Sequence, residues 1–207
     1  LEVKWSDFVG FPKKSITLEY KSKKTMGKFV EKLSDTLSSF IQAQKLFFVA
    51  SAPLTGGRVN LSPKGMDTFR IFHEKQVGYL DLTGSGNETA AHIAENGRLT
   101  IMFCSFTDKP LIVRLSGKGR VIHPHHAEWE QYLAHFTPMA GTRQLILLEV
   151  ELVQSSCGMS IPFFEYQGER HDLEQWAENK GEEGLKTYWA EKNATSLDGL
   201  PTGIGLS

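Results

Sequence analysis

Strand signals follow one another along this chain far more often than they alternate with helix signals. That order predicts a mainly β fold of the α+β class, an antiparallel barrel with flanking helices rather than a parallel βαβ sheet. Two further observations agree. Short runs alternate apolar with polar residues in the period of a half-buried strand, and glycine or asparagine turns separate them. At 207 residues and 40% hydrophobic content the chain suffices for one core.

The elements follow in order. From Gly27 to Lys45 the apolar residues Phe29, Val30, Leu33, Leu37, Phe40 and Ile41 recur every three to four positions, which predicts one amphipathic helix. Leu46 to Ser51 is a short apolar run, and Arg58 to Ser62 alternates after the Gly56-Gly57 turn, so two strands are expected. Phe69 to His73 and Val77 to Leu82 continue the meander. Thr83-Gly84-Ser85-Gly86 then feeds a helix from Asn87 to Glu95, with Gly97 placed for a left-handed C-terminal cap. Leu99 to Phe103 and Leu111 to Ile122 are strands, the second interrupted by Gly117 and Gly119 in the manner of a bulge or a barrel corner. A helix is expected over His125 to Phe136, and Gln144 to Val153 is the most apolar strand. Leu173, Trp176, Leu185, Tyr188 and Trp189 mark a C-terminal helix packed on the barrel. Residues 1–25 read as an N-terminal extension, 26–195 as one domain and 196–207 as a tail.

Several function classes drop out. Lysine plus arginine (23) against aspartate plus glutamate (24) gives a net charge of −1, which argues against a nucleic-acid surface. Cys104 and Cys157 form no CxxC, so neither a disulfide framework nor a thiolate zinc site is indicated. There is no GxSxG for a serine hydrolase. With no apolar run of about 18 residues and no secretory leader pattern, a soluble cytoplasmic protein without membrane contact is expected.

Two constellations could carry chemistry. Gly84-Ser85-Gly86-Asn87-Glu88-Thr89 delivers a strand into a glycine turn and a helix N-terminus, whose free amides and neighbouring hydroxyls suit a phosphate; Asn87 as a plain helix cap is the alternative. Arg58, Asn60, Ser62 and Lys64 fall on alternate positions and so share one strand face, either solvated surface or the wall of an anion site. His123, His125 and His126 are the densest cluster of metal-capable residues, but adjacent positions on a helix diverge, so a polar strand-to-helix turn is the simpler reading.

The blocks FFVASAPLTGGRVNLSPKG (47–65), VGYLDLTGSGNETAAHIAENGRLTIMFCSF (77–106), VRLSGKGRV (113–121), VQSSCGMSIPFFEYQGER (153–170) and LDGLP (197–201) are similar, in that order, to the pyridoxamine 5′-phosphate oxidase-related flavoproteins. The resemblance implies a split β-barrel, usually a homodimer, with FMN in a cleft between the subunits. It assigns Asn60, Ser62 and Lys64, from the segment Arg58 to Lys64, to the flavin, and Thr83, Ser85, Asn87 and Thr89 to its phosphate. Where the oxidases carry an Arg-Lys pair for that phosphate, this chain has Glu88 and Thr89. Phosphate affinity then rests on backbone dipoles, on Lys64, and on Arg58 or a partner-chain residue such as Arg143 or Lys118. Ser156-Cys157 stands where the oxidases have a tryptophan against the flavin. Together these departures point away from vitamin B6 synthesis, toward an FMN-dependent oxidoreductase acting on a small-molecule redox substrate. The alternative is a non-catalytic flavin- or haem-binding stress or regulatory protein, with His123, His125, His126 or His171 as iron ligands. A deazaflavin in place of FMN stays open.

Overall fold

A computed structural model describes residues 27–205; the expected 1–25 extension lies outside the described residues. The strands are β1 (Gly27–Val30), β2 (Phe47–Ser51), β3 (Asn60–Lys64), β4 (Phe69–His73), β5 (Gln76–Leu82), β6 (Arg98–Cys104), β7 (Leu111–Ile122) and β8 (Thr142–Cys157). The helices are α1 (Asp35–Ala43), α2 (Glu88–Asn96), α3 (Trp129–Leu133) and α4 (Asp172–Tyr188), the last running into a π-helical turn, Trp189–Asn193.

All pairings are antiparallel, in the order β3-β2-β6-β7-β8-β5-β4. β8 is the spine. Of its 16 residues, Leu145 to Cys157 lie along β7 on one side, while the other side is shared, β5 taking Thr142 to Glu149 and β1 taking Val153 to Ser156. Among the described residues no ladder joins the end strands β3 and β4, which leaves the barrel split there.

Pleating puts alternate side chains inside. Val49, Ile101, Val113, Leu115, Val153 and Leu148 meet in the main core, floored by the rings of Phe47, Phe69, Tyr79 and Phe103 at centroid separations of 4.9 to 5.6 Å. Full burial of each such aliphatic side chain contributes roughly 1.5–3 kcal/mol. The opposite face of β5 and β8 packs Leu80, Leu145 and Leu147 against Ile122, Trp129 and Phe136. β5 is therefore buried on both faces.

Two helix expectations are corrected. The periodicity over Gly27 to Lys45 covers a strand and a helix: Gly27–Val30 pairs with β8, and the helix starts only at Asp35, where the Ser34 hydroxyl accepts the Leu37 amide. The spacing of Phe29 and Val30 from Leu33 suits a helix by coincidence, and the serine cap decides the boundary. The helix expected over His125 to Phe136 shrinks to Trp129–Leu133, because His123 to Glu128 is turned by hydrogen bonds from His126 N–H to His123 O and from Trp129 N–H to His126 O.

A bulge does lie beside Gly117, but its extra residue belongs to β8 rather than β7: Ser116 pairs with Leu152 and Gly117 with Val150, leaving Glu151 unpaired. A Cβ at Gly117 would lie 2.0 Å from the Glu149 carbonyl oxygen, so no other residue fits. Gly97 caps α2 in the left-handed conformation, and Gly119 lets Ile93 of α2 lie against β7. The segment read as a tail is docked: Thr195 bridges Pro201, and Ser196, Thr202 and Ile204 are buried.

Candidate functional site

A cleft of about 450 Å³ opens where the N-terminus of α2 meets β3, β5 and the start of β8, and the turn before Pro201 forms its outer wall. The pleat of β3 aims Asn60, Ser62 and Lys64 into it, while Leu61 points the other way and is exposed. Asn60 donates from Nδ2 to Thr89 Oγ1 at 3.0 Å and accepts from Ser62 Oγ at 3.1 Å, tying strand to helix.

At the floor lies Asp81. Its Oδ1 accepts from Lys64 Nζ at 2.8 Å, and its Oδ2 from both Arg143 Nε and Gln144 Nε2 at 2.9 Å. Asp81 pairs with Gln144 and Leu82 with Thr142, so Arg143 is the extra residue of a bulge in β8. A bulge re-aims its side chain, and here it turns the guanidinium onto a carboxylate that Gln144 already faces. Burial works against ionisation of Asp81, but the charges of Arg143 and Lys64 and the hydrogen bonds from Lys64 and Gln144 outweigh it, holding its carboxyl well below the usual carboxylate range.

The helix end completes the site. Asn87 occupies the cap position of α2 but makes no side-chain cap bond; its Oδ1 accepts from Gln144 Nε2 at 2.7 Å instead. The first amides of a helix have no intrahelical partner, and at α2 they border the cleft together with Gly84, Ser85 and Gly86. Glu88 faces the outer wall, where both carboxylate oxygens accept the Leu197 amide at 3.0 Å. Asn193, from the π-helical turn, accepts from Arg143 at 2.9 Å and donates to the Gly84 carbonyl at 3.1 Å.

Of the residues singled out from sequence, Asn60, Ser62, Lys64, Ser85, Asn87, Glu88, Thr89 and Arg143 line this one cleft. Arg143 does so from the same chain. Thr83 lies behind it, fully buried, donating to the Gly141 carbonyl and accepting from Trp189 Nε1 at 2.8 Å. Arg58 points outward to Asp198, and Lys118 sits on the exposed face of β7 beside Arg98 and Glu149. None of His123, His125, His126 and His171 borders the cleft. Among the described residues no His, Cys, Asp and Glu group is arranged to hold a metal, and no helix is long and apolar enough to cross a membrane.

The sequence reading missed Asp81, Gln144, Asn193 and Leu197. Asp81 left a signal, an acid inside the otherwise apolar strand VGYLDL; the others depend on segments distant in the chain.

The sequence profile described as "Pyridoxamine 5′-phosphate oxidase" matches residues 33–157. The pyridoxamine 5′-phosphate oxidase family protein ustO of Aspergillus flavus is 39% identical over 192 residues, spanning 84% of this chain and 76% of that protein. The chain belongs to the pyridoxamine 5′-phosphate oxidase family. Within that family's split barrel, the matched profile ends at the last residue of β8, so β3, α2 and the bulge at Arg143 fall inside it, while α4 and the outer wall of the cleft fall beyond. The fold also resembles HutZ, the haem storage protein of Vibrio cholerae (TM-score 0.44, 16% identity, 62% of this chain and 98% of that one). It is likewise similar to an FAD-binding protein of Mycobacterium smegmatis (TM-score 0.41, 15% identity, 61% and 96%). The ligands named for those two are theirs.

Proposed function

We propose that the cleft binds FMN and that the protein is an FMN-dependent oxidoreductase distinct from the vitamin B6 oxidases, working as a homodimer. The observation that carries this reading is the helix N-terminus without a side-chain cap that shares one cleft with Lys64 and Arg143. A phosphate there would meet the amides of Ser85 to Thr89, the positive end of the α2 dipole and the hydroxyls of Ser85 and Thr89. Lys64 and Arg143 outweigh Asp81 by one positive charge, and Glu88 is turned toward the Leu197 amide. The Glu88-Thr89 sequence thus leaves the phosphate to backbone dipoles and Lys64. Asn60 and Ser62, already oriented by each other and by Thr89, would take the polyol chain of the cofactor.

When bound, the isoalloxazine supplies reversible hydride and electron transfer. The protein's own residues bind and orient: Asp81 holds the Lys64 and Arg143 side chains in place through hydrogen bonds, and Asn193 ties Arg143 to the Gly84 turn. Self-association is supported by the outward face of β2, β6 and β7, where Phe48, Ala50, Met102 and Ile112 alternate with the core residues, flanked by exposed Val59, Leu61 and Leu152. Apolar side chains exposed together mark an interaction surface, and Leu61, opposite Ala50, sits back to back with the cleft residues of β3.

The test is a visible absorption spectrum of purified protein with FMN, before and after anaerobic NADPH, beside its mass in solution. Flavin bands that bleach, on a species of twice the chain mass, are expected. Absence of FMN binding together with a Soret band on haem titration would replace this reading with the haem binder.

A further inference from the structure

We propose that the turn from Ser196 to Leu200, pinned across the first turn of α2, makes the site selective for a flavin mononucleotide over a flavin dinucleotide. The inference rests on the FMN reading above. It starts from the turn itself, which is closed by its own bonds: Ser196 N–H to Leu200 O at 2.8 Å, Gly199 N–H to Ser196 O at 2.9 Å, and Leu200 N–H to Ser196 Oγ at 3.0 Å. A turn with this internal bonding moves as a unit.

Two fastenings hold that unit in place. Glu88, the first residue of α2, grips the Leu197 amide with both oxygens, and Asp198 accepts the Arg58 amide at 2.7 Å and pairs with the Arg58 guanidinium. Contact with the β2–β3 connection is close, for a Cβ on Gly57 would lie 2.7 Å from Asp198 Oδ2. Behind the turn, Thr202 is buried and donates to the Asn193 carbonyl at 2.6 Å, so the far end is anchored to the residue that also holds Arg143.

Position gives the turn its consequence. Glu88 is adjacent to the amides assigned to the phosphate, and its Oε1 would lie 3.3 Å from a Cβ on Gly86. Leu197, 75% exposed, still lines the cleft. A mononucleotide ends at its phosphate. A dinucleotide must continue from there through a second phosphate to an adenosine, and the continuation meets the Leu197 side chain and the Glu88 carboxylate, both of which line the cleft, while Asp198 holds the turn from behind through Arg58. Selectivity built from a steric and like-charge obstacle to the larger ligand leaves the smaller one's contacts untouched.

The experiment titrates wild-type protein and the Asp198→Ala variant with FMN and with FAD, following flavin fluorescence, and measures hydrogen exchange at the Leu197 amide. Wild type is expected to bind FMN at least tenfold more tightly than FAD. In Asp198→Ala the Leu197 amide exchanges faster, FAD binding strengthens and the ratio falls about tenfold, with FMN binding little changed. If that amide stays protected, the Glu88→Gln/Asp198→Ala double variant is read in its place. Equal affinity of wild type for the two flavins, or an unchanged ratio once the amide is exposed, overturns the inference while the FMN reading stands. Failure of wild type to bind either flavin overturns the FMN reading itself.

Discussion

Two places among the described residues where polar side chains are withdrawn from water make a contrast, the floor of the cleft and the buried His123 at the end of β7. At the floor, opposite charges are brought together: Asp81 and Arg143 are almost fully buried, and every oxygen of the carboxylate has a donor. At the end of β7, like groups are crowded. The ring of His123 lies parallel to that of His125 at 5.6 Å and edge-on to that of His126 at 5.3 Å, and its buried Nδ1 has no hydrogen-bond partner. Gly203 closes over its Nε2, and the nearby Arg120–Glu128 pair stays at the surface. Burial, reinforced by His126 and His125, pushes the His123 imidazole down to about 4. A buried charge persists at the floor because it is compensated, whereas the imidazole stays in place by remaining neutral.

The largest expected effect comes from breaking the compensation. Asp81→Asn leaves two cations at the floor without their counter-charge, and removing one partner of such a cluster costs about 3–5 kcal/mol; urea unfolding reads the loss. Replacing all three, as Lys64→Met/Asp81→Leu/Arg143→Met, should recover most of that stability while abolishing FMN binding. If the triple replacement is as unstable as the single one, packing rather than charge holds the floor.

Acid separates the two clusters next. His123 has a folded value below its unfolded 6.5, so the unfolded chain binds the proton first, and stability is lost as pH falls from about 6.5 to 4. Asp81 is also depressed, from 3.8, so its contribution is present above about pH 4 and lost only below that. Melting temperature against pH should therefore fall in two steps. His123→Gln should remove the upper step, on the order of 3 kcal/mol, and leave the lower one. A single step below pH 4 in the wild type would show that His123 is protonated in the folded protein.

The smallest effect is expected at the surface. Lys186→Ala breaks exposed pairs with Glu182 and Glu183, and calorimetry should find the melting temperature unmoved.

The strands were legible because pleating imposes a period of two wherever one face is buried. The apolar alternation of β2 and β6 and the polar alternation Asn60, Ser62, Lys64 both survive intact in the structure. Gly97 and Gly117 were legible for a different reason, since backbone geometry admits little else there. Thr83 misled because it follows the register shift at Asp81 and Leu82, after which the hydroxyl turns inward to Gly141. Asn193 and Leu197 were illegible, as their partners lie about a hundred positions away and neither belongs to a periodic element. The break in the C-terminal helix at Gly181, in the left-handed region, likewise left no mark on the apolar spacing around it.

The shared edge of β8 governs the order in which the barrel can be assembled. β1 pairs Gly27 with Ser156, and β5 pairs with the same strand from Thr142, so two early segments wait for the last strand to be made. On a ribosome adding roughly 5–20 residues per second, β2 to β7 emerge with neither barrel edge closed. Contacts this distant in sequence slow folding, and β1 should be the last strand to gain protection in pulse-labelled refolding.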